Sequence, residues 1–360
     1  MTTIENFLSS QVEKNRTPGL QYYYFNQDDI LYSYCGGMAD IEKKEKVTEA
    51  TTFNAYSVTK TFTALSILQL AEKDLIDLDK SVVEYLPEFP YPSNITTMHL
   101  LTHTAGIPNP MPLSWIHTAD EHDTFDYKKY FKKIFQKYNK IKKQPNEKFA
   151  YSNLGYVLLG MLIEKVSGQS YTDYVKKSII ETIEIKSDQL AFTIPDTSLH
   201  SKGYQKRISF TNLILWIILD KSKYIDRTEG KWISVKNLYV NGTSYGGLIG
   251  TGRGFVTYLQ ELLKTDSRLI SNEKRKQLFT ENKTINNKAT GMCLSWFKGD
   301  LQGNTYFAHA GGGFYYCEIR LYPELGTGSV IMFNRSGMTD ARFLDKVDKY
   351  FIDEKLTSRQ

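Results

Sequence analysis

Ser57 and Lys60 stand three residues apart in Ser57-Val-Thr-Lys60, a step that on a helix puts a hydroxyl and an amine on one face. A serine alcohol is a poor nucleophile until a neighbouring base takes its proton. Lys60 can be that base if burial or a second cation pulls its pKa well below the ordinary ~10.4. Tyr151, in Tyr151-Ser-Asn153, is a second base candidate, and Asn153 could orient both the amine and a substrate carbonyl. The third element is His309-Ala-Gly-Gly-Gly313, whose consecutive glycines let a backbone come close to a ligand. There His309 and Gly311 would flank a substrate, and the N–H of Gly312 would complete an oxyanion hole with that of Ser57. Together these residue types could perform acyl transfer through a serine ester.

Each motif alone is weak. Ser-x-x-Lys recurs at Ser271 to Lys274 and Ser295 to Lys298, and Tyr-x-Asn recurs at Tyr24 to Asn26 and Tyr239 to Asn241. Taken singly, Ser57 reads as a helix cap, Tyr151 as a packing aromatic and the glycines as a hairpin turn. Context separates them. Only Ser57 opens a long apolar helix, whose N-terminus adds positive potential where an oxyanion would form. Tyr151 falls at a turn before another helix.

The elements that must position these groups follow from periodicity. Leu20 to Phe25 and Ile30 to Cys35 read as a hairpin about the turn Asn26 to Asp29. From Val58, the residues Phe62, Leu65, Leu68, Leu70 and Ala71 predict a helix with one broad apolar face, ending before Asp74 to Asp79. The stretch from 75 to about 230 reads as helix and loop, with helices over Gly155 to Glu164, stopped at Ser167-Gly168, and Tyr171 to Ile180. Strands return at Met292 to Phe297, Thr305 to Ala308, Tyr315 to Tyr322 and Ser329 to Phe333, and a helix runs from Asp340 to about Lys355. The expected fold is α/β (α+β). An antiparallel sheet flanked by helices is made from both chain ends, residues 1–74 and 245–360. A mostly helical domain, 75–244, is inserted, with the active site in the cleft between them.

The order Ser57-x-x-Lys60, Tyr151-x-Asn153, His309-x-Gly311 resembles the three motifs of class C β-lactamases and of their penicillin-binding and esterase relatives. The segments His99 to Ile107, Asp77 to Pro87 and Tyr245 to Gly250 resemble that family as well, in the right order along most of the chain. The resemblance implies a β-lactamase/transpeptidase-like fold and an acyl-enzyme mechanism with Ser57 as nucleophile, and Lys60 and Tyr151 as a coupled acid–base pair. One departure bears on substrate. Those β-lactamases and carboxypeptidases usually carry Lys-Thr-Gly or Lys-Ser-Gly at the third motif, and neither tripeptide occurs here. A mostly neutral His309 and an Ala310 without a hydroxyl offer nothing to hold a substrate carboxylate. An esterase or amidase is therefore expected over an efficient β-lactamase or DD-carboxypeptidase. A non-catalytic penicillin-binding-like sensor is a further reading, since fold does not fix function.

The remaining composition bounds partners and place. His99 and His103 have the four-residue spacing of a helical metal pair, yet no third ligand accompanies them, and His117 and His122 are at unhelpful spacing, so a structural pair hydrogen-bonding backbone is expected, with no metal and no cofactor. Forty-five basic against 40 acidic residues leave a net +5 with both signs interspersed, and the lysines from Lys128 to Lys143 alternate with apolar residues as on a solvated helix face. Nucleic acid and anionic membrane are thus not expected partners; a small ester, amide or peptide substrate is. The apolar run Leu213 to Leu219 is well short of the roughly 20 residues that span a bilayer, so no stable membrane span is expected, and it motivates hydrophobic acyl substrates. The three cysteines, Cys35, Cys293 and Cys317, read as free thiols. No leader is visible in residues 1–20, which places the protein in the cytoplasm, or in the periplasm or outside the cell if a leader has been removed.

Overall fold

The computed structural model describes residues 3–110, 115–208, 220–336 and 342–357. Its main element is a seven-stranded antiparallel sheet built from the two ends of the chain. The N-terminal part gives β1 (Gly19–Asn26), β2 (Ile30–Asp40) and β3 (Glu45–Lys46). The C-terminal part gives β4 (Phe297–Leu301), β5 (Asn304–Gly312), β6 (Tyr316–Tyr322) and β7 (Thr327–Phe333). The spatial order is β4-β5-β6-β7-β1-β2-β3, so the first strand pairs with the last, Leu20 opposite Phe333. The predicted hairpin is present, its turn held by Asn26 Oδ1 accepting the N–H groups of Asp28 and Asp29.

Both faces of the sheet are covered, which is why β1 reads as an unbroken apolar run. Tyr22 and Tyr24 pack with Leu20, Ile331 and Phe333 toward helices α1 (Thr3–Glu13) and, at the other end of the chain, α6 (Asp345–Thr357). Tyr23 and Phe25, one residue out of phase, join the larger core on the opposite face. That core holds α2 (Thr59–Glu72), α3 (Tyr127–Lys137), α4 (Asn153–Ser167) and α5 (Gly252–Leu263). The sequence of α4 sets both its ends: Ser152 Oγ accepts the Gly155 N–H, and Gly168, at φ +69°, turns the chain out of the helix.

Three expectations need correcting. Helix α2 does not show one apolar face to the core. It is buried on every side from Thr59 to Ala71, and carbonyls from distant segments take up its polar donors: Thr63 Oγ1 donates to the Ser244 carbonyl at 2.6 Å, and Gln69 Nε2 to those of Ser178 and Leu269, both at 3.0 Å. Met292 to Phe297 is not a strand. Ser295 takes a left-handed conformation (φ +69°), the Cys293 N–H turns back to the Trp296 carbonyl, and the strand begins only at Phe297. The stretch 75–230, expected as helix and loop, also contributes short strands, Gly203–Lys206 and Ile225–Glu229 flanking Trp232–Val235, too brief for an alternating pattern to declare them. The run Leu213 to Leu219 lies outside the described residues. No helix among the described residues is long and apolar enough to cross a membrane.

Candidate active site

Ser57 sits in a single 3-10 turn, Tyr56–Val58, that leads directly into α2. The strand Phe53–Asn54, paired with Ile249–Gly250, delivers this turn to the end of β5. Tyr56 occupies left-handed backbone (φ +46°), a rare choice for a large side chain, and its hydroxyl is fixed by the Phe314 N–H at 3.2 Å. Three residues on, Lys60 is wholly buried. Its Nζ donates to Ser57 Oγ at 3.0 Å and to the Tyr245 carbonyl at 2.7 Å. That carbonyl belongs to the short helical turn Thr243–Gly246, the start of the late glycine segment noted in the sequence. The rings of Tyr151, Tyr156 and Tyr245 lie 5.1–5.6 Å from the Lys60 nitrogen. Burial, with no carboxylate paired to the ammonium among the described residues, pulls the Lys60 pKa well below its ordinary value.

Tyr151 enters from the turn before α4, its hydroxyl near enough to that of Ser57 for the serine to favour its ionised form. Burial pushes its phenol up, which favours the protonated form over the free base that the sequence allowed. Asn153 is buried, and its Oδ1 has no hydrogen-bonding partner among the described residues. Its backbone N–H donates to Asn109 Oδ1 at 3.0 Å.

The register of β4 against β5 ends at Phe297 opposite Ala308, so from His309 to Gly312 the outer edge of β5 is free of β4. Gly311 lies so close to the nucleophile's turn that a Cβ there would fall 2.1 Å from the Ala55 oxygen and 2.7 Å from the Ser57 nitrogen. Gly312 has open space around it. His309 is buried with Nδ1 against the Ser295 carbonyl, which places the proton on Nδ1 and leaves Nε2 as an acceptor without a partner among the described residues. Burial and the nearby Lys60 drop its pKa to about 3, so the ring is neutral.

The structure thus gathers Ser57, Lys60, Tyr151, Gly311 and His309 into one site, with Asn153 a helix turn's start away. Of the other Ser-x-x-Lys matches, Ser271 caps an exposed helix, Asn272–Leu278, and Ser295, whose carbonyl meets His309, straddles with Lys298 the turn into β4. His103, expected to bond backbone, does so beside the site: its ring lies 4.2 Å from that of Tyr151, Nδ1 accepts the Ser152 N–H at 3.1 Å, and burial pulls its pKa well down. Its place next to Tyr151 is what the sequence did not reveal. His99 Nδ1 is likewise spent on backbone, the Thr96 N–H at 3.1 Å, and His117 and His122 bond each other at 2.9 Å. Among the described residues no three His, Cys, Asp or Glu side chains are grouped to hold a metal ion. All three cysteines are free, Cys293 and Cys317 buried and Cys35 half-buried.

Residues 4–350 match the family model described as Beta-lactamase. Penicillin-binding protein 4* of Bacillus subtilis (strain 168) is 27% identical over 292 residues, 79% of this chain; the match spans 60% of that relative's length. Among solved structures, the octameric penicillin-binding protein homologue from Pyrococcus abyssi superposes with a TM-score of 0.77 at 24% identity, covering 98% of this chain and 77% of that one. The D-amino acid amidase from Ochrobactrum anthropi SV3 gives a TM-score of 0.74 at 19% identity, covering 99% of each chain.

Proposed function

This chain belongs to the Beta-lactamase family, and on that premise we propose that it is a serine hydrolase acting on esters or amides through an acyl-enzyme. The observation that carries the proposal is Lys60 Nζ, buried and 3.0 Å from Ser57 Oγ, with no carboxylate among the described residues to keep it charged. Neutral Lys60 takes the Ser57 proton as Oγ bonds to the substrate carbonyl carbon. Tyr151, kept protonated by burial, donates to the leaving oxygen or nitrogen as its bond to that carbon breaks, and is reprotonated from Lys60. The N–H groups of Ser57 and Gly312 receive the developing oxyanion, and Asn153 holds the substrate's acyl side. Water, deprotonated by the same pair, then releases the acid and frees Ser57. The cleft between the sheet-bearing ends (1–74 and 245–360) and the insert (75–244) is the place for this chemistry.

The substrate class follows from what the end of β5 lacks. A neutral His309 and the methyl of Ala310 supply no fixed positive charge and no hydroxyl for a carboxylate, so simple esters and amides are favoured over β-lactams. The test is intact-protein mass spectrometry after exposure to a p-nitrophenyl ester, a fluorophosphonate and a penicillin, on wild type and Ser57→Ala. An adduct lost in the variant, with ester turnover and little penicillin turnover, is the expected result. Failure of every probe to label folded wild type would sink the enzymatic reading and leave a binding protein.

A further inference from the structure

The whole-chain charge count conceals a segregation that the fold makes visible. Between Tyr127 and Lys148 there are nine lysines against Glu147 alone and no arginine, an excess of eight charges in a chain whose total is +5. The rest of the chain is therefore net negative. Helix α3 buries Phe131 and Phe135 in the core, and every one of the nine lysines is exposed. Only Lys128, 4.0 Å from Glu164, and Lys143, 3.5 Å from Glu147, meet a carboxylate among the described residues. Beside this strip stands the loop from Lys283 to Lys288, attached by the Ile285 N–H to the Asn146 carbonyl at 3.0 Å and by Asn146 Nδ2 to the Lys283 carbonyl at 3.1 Å. Lys283 and Lys288 are exposed, and between them Ile285 is 66% exposed, a large apolar side chain standing among cations.

We infer that this face, the outer side of α3 with the 140–148 segment and the Ile285 loop, docks peripherally on an anionic lipid bilayer. Clustered lysines are attracted to an anionic leaflet by about 1 kcal/mol each. An apolar tip that enters the headgroup region adds a contribution a soluble polyanion could not use. Nucleic acid fits less well: the segment has no arginine fork, and Tyr127, Tyr130 and Tyr138 pack against the core and are not free to stack on bases. Docking would also orient the active site. Lys142 N–H donates to the Gly106 carbonyl and Asn146 N–H to that of Thr104, both at 2.8 Å, so the cationic segment is stitched to the chain that carries His103 under Tyr151. The cleft would then open close to the membrane plane.

Vesicle co-sedimentation of the full chain tests this, with vesicles of phosphatidylcholine alone and of phosphatidylcholine mixed with phosphatidylglycerol. Binding is expected only to the anionic vesicles, and is expected to vanish at about 0.5 M salt, where exposed charges are screened. Lys132→Glu/Lys133→Glu/Lys137→Glu should lower partitioning on the order of 100-fold. Ile285→Ser should lower it about 5-fold while leaving binding to inorganic polyphosphate unchanged. Both variants should keep the wild-type melting temperature and the labelling of Ser57. Equal binding to neutral vesicles, no binding to anionic ones at low salt, or an Ile285→Ser variant that partitions like wild type would each overturn the inference. The last result would leave a site for soluble polyanions.

Discussion

Ser152 donates its backbone N–H to His103 Nδ1 across 3.1 Å, and Ala150 donates its own to the His103 carbonyl across 2.7 Å, so one residue holds the chain on both sides of Tyr151. His103 does this from left-handed backbone (φ +55°), with its ring packed on those of Tyr151 and Tyr156. Losing the acceptor would free Tyr151 to shift. His103→Phe is expected to lower kcat on the order of 100-fold with a smaller change in KM, the cost of a misplacement of about 1 Å. His103→Asn, whose Oδ1 can accept the same N–H, should recover much of the loss at equal thermal stability. Steady-state kinetics on the two variants decide it.

If neutral Lys60 is the base, kcat/KM rises with pH through a lysine pKa held by burial well below its ordinary value. Activity is lost as the pH falls and Lys60 takes a proton. An acid limb centred near the ordinary lysine value of ~10.4 would be incompatible with this role. Lys60→Arg, which cannot give up its proton, should remove at least about a thousandfold of the ester turnover.

Gly311 and Gly312 are adjacent in sequence and opposite in tolerance. A methyl at Gly311 meets the Ala55 oxygen and the Ser57 nitrogen within 2.7 Å, so Gly311→Ala must push the nucleophile's turn aside. A loss of roughly 1–3 kcal/mol in stability and of most activity is expected. Gly312→Ala enters open space and should melt within a degree or two of wild type. Chemical denaturation and ester turnover of both variants provide the comparison.

Buried titratable groups pull stability in opposite directions with pH. Burial drops His200 and His309 to about 3, so below ~6.5 the unfolded chain binds more protons, and stability is lost as pH falls through that window. Glu318 runs the other way. Burial outweighs its contact with Arg320 and pushes its carboxyl up from 4.5 to about 7. Here the folded chain binds more protons, so this group's contribution declines as pH rises from 4.5 to about 7, by up to roughly 3 kcal/mol. The stability of Glu318→Gln relative to wild type should therefore increase from about pH 5 to about pH 8. A constant difference between the two melting curves would exclude the assignment.

Much of this architecture was legible because it depends on short-range geometry. A three-residue helical step fixes the meeting of Ser57 and Lys60, and two β-rich runs about an Asn-led turn fix the hairpin of β1 and β2. What escaped the sequence depends on partners far along the chain. The polar side of α2 reads as solvent-facing until Ser244, Ser178 and Leu269 supply the carbonyls that let it be buried. Ser295 adopts its left-handed turn in a run that otherwise looks like a strand. His103 acquires its place only when Ser152, 49 residues later, folds against it. The lysines of the α3 face were visible in the sequence and read as a solvated helix face; what the sequence did not reveal is the Ile285 loop bonded beside them through Asn146.

The pairing of Leu20 with Phe333 sets a timetable for synthesis. On a ribosome adding about 5–20 residues each second, the hairpin of β1 and β2 emerges roughly 15–60 s before β7 exists to cover it. Throughout that interval β1 offers an open row of backbone donors and acceptors, and tyrosine faces with nothing to pack on, the features that invite pairing with another chain. A ribosome stalled before Thr327 would release a polypeptide with Ser57 and Lys60 already made and the centre of its sheet missing. The centre of this sheet is thus closed only when its C-terminal strand is made, and until then residues 19–26 are the edge that a second nascent chain would meet.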